Sequence, residues 1–252
     1  MKKVLLATTL LSFVLSTSVL AKSVSIRADH WFPMNGDPDS GDEGFMIDIA
    51  REVFAAGGYT VDYKLMPWER AIDSTRKGET DCIVGAYVDD APDFLFPSEN
   101  WGMDVTGYFT NADSTWSFSG LNSLLDQKVG VIDGYAYGEE LDVLVAERKD
   151  VFKAVSGGNS LETNLKKLLA KRVDVVVESV AVGLAKVKEL NLADKIKLAG
   201  KDSTSAEIYI SCSPVTANGK ELIELVDKQT AALRASGQLE KILTKYGLSD
   251  WK

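Results

Sequence analysis

The chain is poor in the residues that build metal centres and disulfide scaffolds: its 252 residues include two cysteines and one histidine. Cys82 and Cys212 form no Cys-x-x-Cys pair and have no neighbouring histidine, so no metal-ligand spacing exists and no metal or cofactor is expected. Basic residues are in deficit, 28 against 37 acidic ones, for a formal charge of −9. That balance argues against a grip on nucleic-acid phosphates and leaves room for a cationic or zwitterionic small partner.

Long apolar runs are also scarce. One occupies residues 4–20, preceded by Lys2 and Lys3 and closed by the small-residue pattern Val19-Leu20-Ala21. Thr8, Thr9, Ser12, Ser16, Thr17 and Ser18 dilute it below the roughly 20 mostly apolar residues of a spanning helix, so residues 1–21 read as a cleaved signal peptide. Secretion to the periplasm is the expectation. No cysteine follows the run, which points to a soluble product rather than a lipid-anchored one. Cleavage leaves 231 residues with a charge of −11, enough for one large or two modest domains. Two buried free thiols are the expectation for Cys82 and Cys212, and an oxidising compartment keeps a single disulfide open as the alternative.

What the chain does have is a regular grammar of strands and helices. Residues 24–28 alternate as a strand, 45–56 have helical spacing ending at Gly57-Gly58, and 60–66 alternate again. A helix over 68–77 and a buried strand over 82–86 complete a β-α-β-α-β unit. The second half repeats it, with strands at 129–132, 151–155, 173–177 and 196–198 and helices at 138–147, 161–169 and 180–190. Such alternation predicts parallel sheets with right-handed crossovers. Each unit also approaches its third strand through a basic residue, a short turn and an Asp: Lys77-Gly78-Glu79-Thr80-Asp81-Cys82 and Lys171-Arg172-Val173-Asp174-Val175. The shared position favours two similar lobes over one seven-stranded sheet.

Between the units, residues 101–127 are polar and aromatic, with an extended-looking stretch at 105–110; the first crossing between lobes falls there. A strand at 207–212 and helices at 219–235 and 237–246 return to the first lobe. The expected fold is α/β, two similar Rossmann-like lobes joined by a two-strand hinge: lobe 1 spans 22–107 plus 207–252, and lobe 2 spans 108–206. A returning strand at 207–212 makes a bond between Cys82 and Cys212 geometrically feasible.

In this order and spacing, the stretches Gly44-Phe45-Met46-Ile47-Asp48-Ile49-Ala50, Met66-Pro67-Trp68-Glu69-Arg70-Ala71, Lys77-Gly78-Glu79-Thr80-Asp81, Lys128-Val129-Gly130-Val131, residues 94–98 and the ending from Gly237-Gln238-Leu239 to Tyr246-Gly247 carry a resemblance. The chain resembles bacterial extracellular solute-binding protein family 3, the periplasmic substrate-binding proteins of polar amino-acid ABC transporters. The resemblance implies a periplasmic binding protein of type II, a monomer that holds a small polar, amino-acid-like solute between lobes that close on it and presents the closed form to ABC permease subunits. It departs from the family where an Arg usually follows the third strand to grip a ligand carboxylate: Gly85-Ala86-Tyr87-Val88-Asp89-Asp90-Ala91-Pro92-Asp93 contains none. The family's second-lobe Asp is replaced by Glu178-Ser179.

Ligands of open α/β sheets sit beyond the carboxyl ends of the strands, which selects the candidate residues. Trp31 and Phe32 follow the first strand, and one of them is expected to stack on a ligand, the other to pack within the lobe. His30 beside them reads as a loop or cleft residue, since no triad or metal partner surrounds it. After the second strand come Trp68 and Arg70, the latter as a replacement carboxylate clamp or as half of a surface ion pair with Glu69 or Asp73. Gly85 leaves room near the backbone and Tyr87 offers a hydroxyl. In the second lobe, the loop Asp133-Gly134-Tyr135-Ala136-Tyr137-Gly138 presents Tyr135, Tyr137 and backbone N–H groups suited to an anionic or carbonyl group. Glu178 closes a very apolar strand and calls for a partner, either a ligand cation or a neighbouring base. Binding without catalysis is the function expected; the rivals are a dehydratase-like enzyme using Glu178 or His30 as general acid, and a ligand-sensing module.

Overall fold

The computed structural model describes residues 22–252; the expected signal peptide, 1–21, lies outside the described residues. Two five-stranded sheets carry the fold. The first unit runs β1 (Lys22–Ala28), α1 (Phe45–Ala56), β2 (Tyr59–Leu65), α2 (Trp68–Arg76) and β3 (Cys82–Ala86). Short β4 (Gly102–Asp104) leads into β5 (Thr106–Asn111). The second unit is β6 (Val129–Ile132), α3 (Glu139–Glu147), β7 (Phe152–Val155), α4 (Ser160–Leu169), β8 (Val175–Ser179), α5 (Val180–Glu189) and β9 (Ile196–Lys201). The chain returns through β10 (Ala206–Cys212), α6 (Gly219–Ala235) and α7 (Gln238–Lys245).

The sheet orders are β2-β1-β3-β10-β4 and β7-β6-β8-β5-β9, so each unit places its first strand between its second and third. Within each triplet the pairing is parallel. The Asp shared by the two halves explains itself here. Asp81 Oδ2 accepts from both the backbone N–H and the hydroxyl of Ser25 on β1, at 2.8 and 2.7 Å. Asp174 Oδ2 accepts from the backbone N–H of Lys128 just before β6, at 2.8 Å. In each lobe the carboxylate ties the entry to the third strand to the first, at the middle of β1 in one lobe and just before β6 in the other.

The sheets are mixed rather than parallel, which corrects the expectation from β-α alternation. The strands that cross between the sheets cause the difference. Crossings occur at Val105, between β4 and β5, and at residues 202–205, between β9 and β10. A chain that arrives from the opposite sheet enters where β3 and β8 end, and must run back against them. β5 accordingly begins with Thr106 opposite Ser179, the last residue of β8. β10 pairs Tyr209 with Ala86 at the end of β3 and Cys212 with Cys82 at its start.

That register settles the two cysteines: Cys82 and Cys212 are directly opposite and joined by a disulfide, in place of the free thiols expected. Around it, α1 presents Met46, Ile47, Ile49, Ala50, Val53 and Phe54 to the core, all with no exposed surface. α6 and α7 pack on the first sheet's side of the molecule; Trp101 Nε1, just before β4, donates to Thr230 Oγ1 of α6 at 2.9 Å.

Candidate functional site

The carboxyl ends of β1, β3, β6 and β8 face one another across the gap between the sheets, and four acidic side chains meet there. Asp29 follows β1, Asp90 lies in the turn after β3, Asp104 ends β4, and Glu178 is the penultimate residue of β8. Each makes a bond that joins the lobes. The Tyr135 hydroxyl, in the loop after β6, donates to Asp29. Ala136 N–H donates to Asp90 Oδ1 at 3.1 Å. The Ser179 hydroxyl donates to Asp104 Oδ1 at 2.5 Å, and the Trp31 indole donates to Glu178 Oε1 at 2.8 Å.

Among the described residues, no Lys, Arg or His forms an ion pair with any of these four acids. Burial without a counter-charge disfavours ionisation, so their carboxyls are pushed up: Asp29 to about 6, Asp90 to about 7, Glu178 to about 8, and Asp104 upward. Hydrogen bonds from Tyr135, Tyr87, Trp68, Ser179 and Trp31 oppose the shift without overcoming it. Two buried oxygens in the cluster have no hydrogen-bond partner among the described residues: Glu178 Oε2 and Asn35 Oδ1, on residues that are 2% and 0% exposed.

Aromatic rings frame the carboxyls. Trp31 and Tyr87 meet edge-on with centroids 6.2 Å apart, and Trp68 and Tyr135 likewise at 6.4 Å. Asp29, Trp31, Trp68, Gly85, Asp90 and Tyr135 surround a cavity of about 10 Å³, room for about one water molecule. Tyr87 lines both this cavity and a larger one of about 380 Å³, which runs beside the crossing strands and is bordered by Asp89, Asp104, Asp202 and Glu207. On the other side, Asp29, His30 and Tyr135 border a cavity of about 200 Å³ near the start of α4, together with Lys186.

The residues expected from the sequence divide unevenly. Trp31, Trp68, Gly85, Tyr87, Tyr135 and Glu178 come together in the cluster. Tyr137 is adjacent, with its hydroxyl accepting from Ile132 N–H at 2.7 Å, and it borders the larger cavity. Phe32 does not join them; its ring packs against Tyr246 at 6.1 Å, so of the two aromatics after β1 it is Trp31 that faces the cleft. Arg70 is exposed and borders none of these cavities, because the buried face of α2 is Trp68, Ala71, Ile72, Ser74 and Thr75. The ion pair with Asp73 goes instead to Arg76, which also grips Asp93.

Gly85 is required by its neighbours rather than by open space. Its φ is +84°, and a Cβ there would stand 2.6 Å from Asn35 Oδ1 and 3.3 Å from the Trp31 ring. The loop after β6 is likewise not the free set of N–H donors that its sequence suggests. Ala136 N–H is taken by Asp90, and Tyr137 N–H by Asp142 Oδ1 at 2.9 Å. The chain's own carboxyls occupy the place expected for an anionic ligand. Asp29 and Asp90 both follow strand ends, the position that marks candidates in the sequence; Asp104, ahead of a crossing strand, carries no such signal.

Residues 24–91 match the model of bacterial extracellular solute-binding proteins, family 3, bearing out the resemblance drawn from the sequence. No curated protein matches. Among solved structures, an ancestral arginine-binding protein bound to glutamine is 24% identical, with a TM-score of 0.73 over 88% of this chain and 96% of that one. A structure described for glutathione import in Gram-positive bacteria through a cystine ABC importer of Streptococcus mutans is 18% identical, with a TM-score of 0.76 over 91% of this chain and 97% of that one. A histidine kinase sensor domain with similarity to periplasmic binding proteins is 20% identical, with a TM-score of 0.74 over 91% and 97%. The fold is that of a type II periplasmic binding protein.

Proposed function

We propose that this chain is a secreted, periplasmic solute-binding protein that captures a small polar solute between its two lobes and delivers it, as a monomer, to the permease subunits of an ABC transporter. The observation that carries the reading is the convergence of buried polar groups from strand ends of both sheets, three in the first and two in the second, in the gap between them. A ligand touching both sheets stabilises their approach, and the differential contact is what shifts the population of lobe arrangements. The two lobes turn against each other about the crossings at Val105 and 202–205, within a few residues of the boundaries expected at 107/108 and 206/207. Trp31, Trp68, Gly85, Tyr87, Tyr135, Tyr137 and Glu178 form or support the binding surface, with Asp29, Asp90 and Asp104 added to the sequence-derived set.

Binding rather than turnover is favoured because the buried groups are already hydrogen-bonded to one another across the lobes. The likeness to a histidine kinase sensor domain supports a second reading, in which the same ligand-induced closure is read by a signalling partner instead of a permease. A calorimetric screen of amino acids, amines, betaines and sugars separates the possibilities. Saturable one-to-one binding, with the solute recovered unchanged, is the expected outcome. A solute chemically altered after incubation overturns the binder in favour of an enzyme, and a complete absence of binding removes the reading.

A further inference from the structure

We infer that the cleft selects an organic cation, an ammonium or guanidinium compound without a carboxylate, rather than a zwitterionic amino acid. This rests on the proposed role as a solute binder and names the class of solute.

The donor and acceptor inventory of the cluster is one-sided. Asp29, Asp90, Asp104 and Glu178 bring four carboxyls, and among the described residues no positively charged side chain pairs with them. Glu178 Oε2 and Asn35 Oδ1 are both buried oxygens without a hydrogen-bond partner among the described residues. Asn35 Oδ1 faces Gly85, which lines the small cavity, and the other oxygen of Glu178 holds the indole of Trp31 on the same wall. What the cluster is short of is N–H groups bearing positive charge, and a ligand cation supplies them.

The same inventory works against a carboxylate. An amino acid's carboxylate is held best by a guanidinium or an ammonium, and among the described residues no Arg or Lys lines the small cavity or the larger one beside the crossing strands. Arg70 lies on the outer face of α2. The N–H groups of Ala136 and Tyr137 are held by Asp90 and Asp142. A carboxylate brought into the cluster meets four acids and the further acidic wall of the larger cavity, Asp89, Asp202 and Glu207. Trp31, Trp68, Tyr87 and Tyr135 add ring faces and edges at the walls, and the faces attract cations.

Matched pairs that differ by one carboxylate test the inference: lysine against 1,5-diaminopentane, and arginine against agmatine, titrated calorimetrically into the full mature chain at pH 8 and 150 mM salt. At least one amine is expected to bind tenfold or more tightly than its parent amino acid. Its affinity is expected to fall at least tenfold in Glu178→Gln, with an unchanged far-ultraviolet dichroism spectrum showing that the variant is folded. Equal or tighter binding of the parent amino acid overturns the cation class and leaves the solute-binding role standing. So does binding of a neutral solute alone in the broader screen. Silence from all four probes also overturns it, and silence throughout the screen removes the solute-binding role as well. An amine whose affinity ignores Glu178→Gln binds elsewhere, and the site assignment fails.

Discussion

The indole N–H of Trp31 reaches Glu178 Oε1 at 2.8 Å, and with that bond a loop of the first sheet holds the carboxyl at the end of a core strand of the second. The other contact to this oxygen is the backbone N–H of Ser179, also at 2.8 Å. Trp31→Phe keeps a ring against Tyr87 and deletes the donor. Oε1 keeps the Ser179 N–H, so the cost is that of one net hydrogen bond, about 0.5–1.5 kcal/mol. The variant is expected to melt lower by about 2–4 °C for each kcal/mol lost, measured by scanning calorimetry at pH 7. An unchanged midpoint would show that the bond contributes nothing to the free protein.

Stability of the free protein is expected to fall as pH rises from about 4 to about 8. Burial raises the carboxyls of Asp29, Asp90 and Glu178 to about 6, 7 and 8, so the folded chain holds protons that the unfolded chain has released. The stabilisation is complete below the unfolded values near 4 and is gone above the folded ones. Glu178→Gln removes the group with the highest of these values and is expected to flatten the upper part of the slope, between pH 6 and 8. Chemical denaturation at intervals of one pH unit reads both profiles, and parallel profiles contradict the assignment to Glu178.

If the ligand is a cation, binding must draw protons off the same carboxyls. Affinity for the best amine probe is expected to rise with pH between 5.5 and 8, with protons released to the buffer. Titration calorimetry in two buffers of different ionisation enthalpy counts them, and proton uptake contradicts the expectation.

Substituting Gly85 by Ala puts a methyl group 2.6 Å from Asn35 Oδ1 at a φ of +84°. Both the strain and the displaced amide act in the folded state, with an expected cost of about 1–3 kcal/mol. A fall in denaturation midpoint at unchanged slope is the signature, and a neutral substitution would show that the turn after β3 relaxes freely.

Reduction of the Cys82–Cys212 disulfide frees a loop spanning a sequence separation of 130 residues. The loss expected for a native bond is about 2–5 kcal/mol. Melting with and without reductant measures it. Alkylation without reductant should label no thiol, and two labelled thiols would mean that the bond is not made.

Much of the architecture was legible because period 2 and period 3.6 patterns are strong where sheets are half-buried and helices pack on them. α1, β3, β6 and α6 fall on the residues expected; other ends differ by one to three residues, as in α2, which stops at Arg76, and β9, which runs on from 198 to Lys201, and the short β4 was not expected. β8 moves from 173–177 to Val175–Ser179, because Asp174 is drawn back to Lys128 and because Glu178 and Ser179 pair with Gly107 and Thr106 of β5. Strand direction was not legible. Periodicity reports which face is buried and says nothing of which way β5 and β10 run, which follows from where the chain crosses between sheets. In the cleft, aromatic residues at strand ends were found by their position. Arg70 stands outside the cluster because helix phase, fixed by the buried Trp68 and Ala71, turns it outward. Asp104 was invisible, since its role depends on Ser179 and Tyr87 being brought to it by tertiary folding.

The bond between Cys82 and Cys212 has a topological effect apart from stability. Every strand of the second sheet, β5 to β9, lies within the stretch of chain that it closes into a covalent ring. A single peptide cleavage anywhere in that ring, for instance in the exposed turn at Gly157-Gly158, leaves one linked molecule. The nicked protein should migrate at full size on a denaturing gel without reductant and separate into two bands with it, so proteolytic damage to the second lobe opens a loop without releasing a fragment.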